Sequence, residues 1–304
     1  MTDTPNTIIL CPGQGAQALG MGKAWFDASD IAKQTFAEAD KILGIELSKL
    51  CFEGPIDQLN RTDIAQAAIY TATVACYRAL GDQVGNVVAT AGLSLGEFSA
   101  LHLAGAMDFE AGLKLVRLRG QAMQDAAESS QGTMVAVTGD VTEEAINELC
   151  DKAREEGVLV PANFNSPMQV VVSGSIDACE RAVKVASDMG FKPTPLTVAG
   201  AFHSPLMKPA ADRLNDALEQ TQWQLPTIPV LSNVTGVAHE ADIASIKLRL
   251  VQQLTSPVRW SQSMAWAVAN LSGKYMEMAP GKVLSGLMRR INRGTRVANF
   301  AQPQ

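Results

Sequence analysis

Cysteine, histidine and surplus positive charge are all scarce in this chain of 304 residues, and each scarcity closes off a class of function. The five cysteines, Cys11, Cys51, Cys76, Cys150 and Cys179, are odd in number and scattered, with no C-x-x-C pair. That spacing fits neither a disulfide framework nor a zinc knuckle, so they read as buried thiols and no metal site is expected. No stretch approaches the roughly 18 consecutive apolar residues of a membrane span. The polar start, Met1 to Thr7, lacks the basic-then-apolar order of a signal peptide, so the expectation is a soluble, cytoplasmic protein without a membrane partner. A formal net charge of −6 leaves no excess of Lys and Arg to neutralise phosphates, which argues against nucleic acid.

What is present is globular material: 47% hydrophobic residues, 18% charged and 24 glycines, a balance that excludes disorder, collagen-like repeats and coiled coil. The length suggests about two domains, or one α/β domain carrying an insertion. An apolar run, Thr7 to Cys11, closed by Pro12-Gly13, reads as a buried parallel strand and its loop. Helical patterns follow, clearest over Asp63 to Leu80, and the next strand comes at Val87 to Gly92. Helices are then expected over Glu97 to Leu103 and Asp108 to Ala127.

From Gly132 the rhythm becomes strand Thr133 to Val137, helix Thr142 to Glu155, strand Val158 to Asn163, strand Gln169 to Ser173, helix Ile176 to Met189, strand Phe191 to Leu196. That β-α-β-β-α-β order is the ferredoxin-like pattern, able to bury one sheet face against two helices. The α/β alternation resumes with helix Leu206 to Thr221, strand Ile228 to Leu231, two helices through Leu271, strand Tyr275 to Met278 and a last helix from Gly281. The expectation is an α/β fold in which a discontinuous large unit, residues 1–130 and 200–304, carries an inserted small one, residues 131–199.

Gly13, Gly15 and Ala18 spell G-x-G-x-x-A, a weak dinucleotide fingerprint. Gly20 and Gly22 interrupt the helix that a Rossmann unit needs there, and no second strand follows within about 30 residues, so that reading fails. Gly92-Leu93-Ser94-Leu95-Gly96 is the sharper signal, because G-x-S-x-G between a strand and a helix is a nucleophile elbow. It raises the Ser94 hydroxyl at a helix N-terminus, where free N–H groups can stabilise an oxyanion.

Serine needs a base, and the chain offers three histidines. His102 lies about two turns along the helix from Ser94 and points away, a structural residue. His239 sits in the polar stretch Gly236 to Glu240 and reads as a solvated loop residue. His203, in Gly200-Ala201-Phe202-His203-Ser204-Pro205, stands where the insert returns to the large unit, a junction that lines a cleft. An esterase of the α/β-hydrolase kind would also carry an orienting acid and an HGGG loop; the loop is absent, and no acid sits in a comparable strand-end turn. A backbone carbonyl or an amide side chain is left to orient the imidazole.

Six motifs then read together: Pro12-Gly13-Gln14-Gly15-Ala16-Gln17, Gly92-x-Ser94-Leu95-Gly96-Glu97-Phe98, Arg117-x-Arg119-Gly120, Asn163-x-Asn165-Ser166-Pro167-x-Gln169, Gly200-Ala201-Phe202-His203-Ser204 and Pro280-Gly281-Lys282-Val283-Leu284. From about residue 7 to 292 the chain resembles the malonyl-CoA:acyl carrier protein transacylases. The resemblance implies a hydrolase-like large subdomain with a mostly parallel sheet and a ferredoxin-like insert. It implies ping-pong transfer, in which Ser94 attacks the malonyl thioester with His203 as base and the phosphopantetheine thiol of acyl carrier protein collects the acyl group. Malonyl-CoA and coenzyme A are then substrate and product, no cofactor is bound, and the product supplies fatty acid or polyketide synthesis. The family's oxyanion hole falls on the backbone N–H groups of Gln14 and Leu95, and its His-orienting carbonyl on Gln253. Arg119 falls on the residue that grips the malonyl carboxylate; on the expected helix it lies at the margin of the apolar face, with Met123 one turn away and Arg117 projecting from the other side. Met123 and Phe202 would shape the substrate pocket, Phe202 filling the volume of a 2-methyl branch.

The chain departs from that family in carrying Leu93 where a histidine usually precedes the nucleophile. A serine thioesterase or esterase on the same elbow is the alternative enzyme, and Leu93 alone raises a degenerate binding module as a third reading. Arg289, Arg290, Arg293 and Arg296 form a basic cluster, read as favourable charge at a helix C-terminus with a solvated tail in preference to a dock for an acidic carrier.

Overall fold

Five strands in the order β7-β2-β1-β8-β9 form one sheet, and every pairing in it is parallel. They are β1 (Asn6–Cys11), β2 (Asn86–Gly92), β7 (Val230–Leu231), β8 (Lys274–Met278) and β9 (Val297–Phe300). A second sheet, ordered β4-β5-β3-β6 and antiparallel throughout, is built from β3 (Gly132–Thr138), β4 (Leu159–Ser166), β5 (Gln169–Ser175) and β6 (Lys192–Pro195). This computed structural model describes residues 5–303; Met1 to Thr4, part of the polar start, and Gln304 lie outside the described residues.

Helices α1 (Lys23–Ala28), α2 (Asp30–Leu43), α3 (Leu47–Glu53), α4 (Ile56–Asn60) and α5 (Thr62–Leu80) separate β1 from β2. Next come α6 (Gly96–Leu103) and α7 (Phe109–Ser129), while α8 (Glu143–Arg154) and α9 (Ile176–Asp188) cover the antiparallel sheet. The chain ends with α10 (Lys208–Gln220), α11 (Ile243–Gln253), α12 (Trp260–Asn270) and α13 (Val283–Ile291). Among the described residues no helix is long and apolar enough to cross a membrane.

The parallel strands are apolar because both faces are covered: Ile8 and Leu10 join the cluster under α12 and α13, while Ile9 and Cys11 join the cluster with α5. Helix α5 is buried from Thr62 through Cys76, as an all-round apolar, alanine-rich sequence demands. Helix α7 lies close against it because Gly120 has no side chain; a Cβ there would sit 2.7 Å from the Thr62 carbonyl oxygen. The five cysteines are all buried.

The structure differs from the expectation where short elements lie. The expected strand Ile228 to Leu231 shrinks to Val230–Leu231, because Pro229 has no N–H to give a ladder. The helix from Leu206 opens as a 3₁₀ turn over Pro205–Met207 and becomes α-helical at Lys208. Strand β9 stands where the pattern predicts a solvated tail: the segment after Arg296 returns as the edge of the parallel sheet, and the Phe300 carbonyl accepts a hydrogen bond from Trp25 Nε1.

Candidate active site

The end of β2 turns into α6 through Ser94, whose φ of 53° lies in the left-handed region. A Cβ on Gly92 would lie 1.9 Å from the Gly96 carbonyl group, and one on Gly96 would lie 2.1 Å from the Cys11 carbonyl oxygen, so only glycine fits at either position. Left-handed backbone at a serine costs on the order of 1–3 kcal/mol, which the surroundings must offset. Asn233 does so from both sides of the turn: its Oδ1 accepts from Ser94 N–H at 2.5 Å and its Nδ2 donates to the Gly92 carbonyl at 2.7 Å.

His203 follows the antiparallel sheet in a turn of its own, with φ 57°. Its Nε2 stands 2.8 Å from Ser94 Oγ and its Nδ1 2.7 Å from the Gln253 carbonyl oxygen at the end of α11. A carbonyl only accepts, so Nδ1 carries the proton and Nε2 presents its lone pair to the hydroxyl. Burial, and secondly the Arg119 charge, hold the imidazole down from 6.5 to about 4, against the opposing pull of the Gln253 bond. His203 is therefore neutral at pH 7.

Arg119 is fully buried, 1% exposed, and not at a helix margin as the periodicity predicts; the close approach of α7 to α5 carries it inside. Its Nη1 donates to Gln66 Oε1 at 2.7 Å, and its Nη2 donates to Ser94 Oγ at 3.0 Å and to Gln253 Oε1 at 2.9 Å. Its Nε has no partner, and among the described residues Arg119 makes no ion pair. Burial lowers its pKa to about 9, Glu97 opposing, so it stays a cation at neutral pH. Arg117, two residues earlier, is half-exposed and paired with Asp63 at 2.8 Å.

A cleft of about 770 Å³ opens over these groups, between the two sheets. Gln14, Leu93, Ser94, Met123, Phe202 and His203 line it from one side; Met134, Asn163, Asn165, Gln169 and Val171 line it from the other. Arg119 and Gln253 lie behind Ser94. The N–H groups of Gln14 and Leu95 have no hydrogen-bond partner among the described residues and flank the elbow, Leu95 following Ser94 in the chain. No group of His, Cys, Asp or Glu among the described residues could hold a metal ion.

The family model for the acyl transferase domain matches residues 8–299. The chain belongs to the acyl transferase family. This acyltransferase is 40% identical over 298 residues to the malonyl CoA-acyl carrier protein transacylase of Bacillus subtilis (strain 168), covering 97% of this chain and 93% of the relative. It is 42% identical to that of Escherichia coli (strain K12) over 285 residues, 93% of this chain and 92% of the relative. A crystal structure of an acyl carrier protein S-malonyltransferase from Vibrio cholerae superposes with a TM-score of 0.93 at 42% identity, covering 99% of this chain and 98% of that one. A malonyl-transacylase solved in complex with a type II PKS acyl-carrier protein gives a TM-score of 0.94 at 37% identity, covering 99% and 97%. The α/β fold with a parallel sheet and an antiparallel small subdomain is shared with these enzymes.

Two histidines outside the site divide. His102 Nδ1 bonds the Met107 carbonyl at 3.0 Å beside Tyr70, a structural contact as expected. His239 is not a solvated loop residue: its side chain is 3% exposed and its Nε2 lies 2.6 Å from Glu97 Oε1. The turn that carries it folds back so that His239 N–H donates to the Val230 carbonyl, which takes the ring under α6. Sequence reasoning also missed Glu97, Asn233 and Gln66 as neighbours of the acyltransferase centre. Only Glu97 left a signal, a lone acid on α6 among Phe98, Ala100 and Leu101.

Proposed function

We propose that this acyltransferase moves a malonyl group from malonyl-CoA to the phosphopantetheine thiol of an acyl carrier protein through a malonyl ester on Ser94. The observation that carries the reading is the Arg119 guanidinium, buried without an anionic partner 3.0 Å from Ser94 Oγ. A buried cation of this kind calls for an anion, and an acyl group bearing a free carboxylate brings one.

The steps follow from the contacts. His203 Nε2 takes the hydroxyl proton as Ser94 Oγ attacks the thioester carbonyl, and the Gln253 carbonyl holds the imidazolium that forms. The N–H groups of Gln14 and Leu95 donate to the oxyanion of the tetrahedral intermediate. Its collapse breaks the C–S bond, and the imidazolium returns the proton to the departing coenzyme A thiolate. In the second half the carrier's thiol gives its proton to His203 and attacks the malonyl ester; collapse breaks the ester C–O bond, and the imidazolium returns the proton to Ser94 Oγ. Malonyl-CoA and coenzyme A serve as substrate and product, no bound cofactor takes part, and the malonyl carrier feeds fatty acid or polyketide synthesis. The names of the relatives, one of them solved with a carrier protein, support this choice of donor and acceptor. Met123 and Phe202 line the space beside Ser94 and fit the role of pocket wall.

Mass spectrometry of the intact protein mixed with malonyl-CoA tests donor and nucleophile together: the parent should gain one malonyl group and Ser94→Ala none. Adduct on Ser94→Ala would remove the mechanism. Loss of the adduct to water faster than to a thiol acceptor would make the enzyme a thioesterase.

A further inference from the structure

Behind the elbow lies a carboxylate that none of those steps uses. Glu97, on the first turn of α6, is 1% exposed and has no Lys or Arg within ion-pair distance among the described residues. Three donors surround it instead: His239 Nε2 reaches Oε1 at 2.6 Å, while Gln253 Nε2 at 2.6 Å and Asn233 N–H at 3.2 Å reach Oε2. Each belongs to a different segment, and two of the three also hold the active centre. Asn233 clamps the elbow; Gln253 carries the carbonyl under His203 and the oxygen on Arg119.

Resting on the reading of Ser94, His203 and Arg119 given above, we infer that Glu97, seated by His239, is a positioning residue that fixes the side-chain amide of Gln253 and so sets the acceptor presented to Arg119. The reason lies in hydrogen-bond chemistry. An ionised carboxylate accepts and never donates, so the amide must turn Nε2 toward Glu97, and its second N–H reaches the Ser94 carbonyl oxygen at 3.1 Å. Oε1 is thereby aimed the other way, at the guanidinium, which only donates. Flipping the amide would oppose oxygen to the carboxylate and N–H to N–H at Arg119, leaving buried groups unpaired on both sides. Glu97 also stands across one amide from Arg119 and opposes, without cancelling, the burial that lowers the guanidinium. His239 completes the arrangement by holding Glu97 Oε1, which leaves Oε2 to Gln253 and Asn233.

The test is a double-mutant cycle on the rate of Ser94 acylation by malonyl-CoA in the full chain, followed by intact mass and normalised to the final acylated fraction, so that loss of folded protein drops out. Glu97→Leu should slow acylation on the order of tenfold to a hundredfold, the weight of lost hydrogen bonds to a charged group. Glu97→Gln, which returns an acceptor to Gln253, should recover part of the rate. In a Gln253→Ala background, Glu97→Leu should cost no more than about twofold further, because a residue acting through another has nothing left to position. Should Glu97→Leu fail to fold, His239→Leu, which removes one of the three donors and keeps the carboxylate, runs the same cycle. Multiplicative losses in the cycle would overturn the inference. Non-multiplicative losses, together with a malonyl-to-acetyl ratio in Arg119→Ala equal to the parent's, would sustain the positioning role and refute carboxylate binding by Arg119.

Discussion

On the parallel-sheet side of the cleft, Ser94, His203, Arg119, Gln253 and Glu97 are buried and hydrogen-bonded to one another. On the antiparallel-sheet side, Met134, Val171, Asn163, Asn165 and Gln169 present thioether, methyl and amide groups, and Asn165 Nδ2 donates a hydrogen bond to Gln169 Oε1. No titratable side chain stands on the second wall among those five. The first wall is a network whose members fix each other's orientation, so a change in one propagates to the reacting atoms. The second is a surface whose members act through volume and single hydrogen bonds, where a change is felt as a modest preference. The hydrogen-bonded groups and the singly acting ones thus stand on different sheets.

The largest effect that would break this division is on the base. His203→Ala should cut acylation by roughly 10²–10⁴-fold, the worth of a positioned base. A single-turnover assay reads it, and a loss under tenfold would mean that Ser94 finds its base elsewhere. Next comes Arg119→Ala, which removes the buried cation beside Ser94. Malonyl transfer should fall on the order of tenfold to a hundredfold, while acetyl transfer, poor in the parent, should become relatively better. The ratio of kcat/KM for malonyl over acetyl is the quantity to measure; a ratio equal to the parent's would place the carboxylate elsewhere.

A smaller and more diagnostic effect is in pH. Burial and then the Arg119 charge lower His203 from 6.5 to about 4. The acid limb of kcat/KM should accordingly lie near pH 4 and not near 6.5, since the base works in its neutral form. The same depression means that the unfolded chain binds a proton before the folded one does. Any stability this residue confers is complete above pH 6.5 and declines as pH drops toward 4. Arg119→Gln removes a positive neighbour that disfavours imidazolium, so the acid limb should move up in pH. A limb that stays in place in the Arg119→Gln profile would show that burial acts alone.

How far the sequence foretold these two walls depends on the kind of evidence each residue leaves. Ser94 and its glycines are written locally: strand, tight turn and helix follow one another, and the steric demand on Gly92 and Gly96 is met by neighbours in that same turn and the adjacent β1. The β-α-β-β-α-β order of the small sheet is likewise a matter of local periodicity and strand lengths, and its observed order β4-β5-β3-β6 follows. Arg119 is different. Its burial depends on how closely α7 approaches α5, which a helical wheel of α7 does not contain. His239 and Asn233 are further from legibility, because their partners lie 142 and 139 residues away in the chain and nothing around them marks an inward turn. Strand β9 pairs in parallel with β8 across the whole of α13, so its four residues read as tail until the sheet is in view.

The smallest expected effect separates membership of the network from proximity to it. Leu93 adjoins the nucleophile and lines the cleft, yet its side chain packs with the apolar cluster under β1 and β2 and makes no hydrogen bond to Ser94, His203 or Arg119. The base reaches Ser94 from another segment altogether. Leu93→His should therefore leave kcat/KM for malonyl transfer within about tenfold of the parent, since the substitution alters a neighbour of the proton path and none of its members. The side chain is half-exposed, so an imidazole there can reach water from the cleft and avoid the cost of an unpaired buried polar group. If Leu93→His instead abolishes transfer while the protein stays folded, closeness to the nucleophile, and not participation in the hydrogen-bonded wall, decides which residues the reaction depends on.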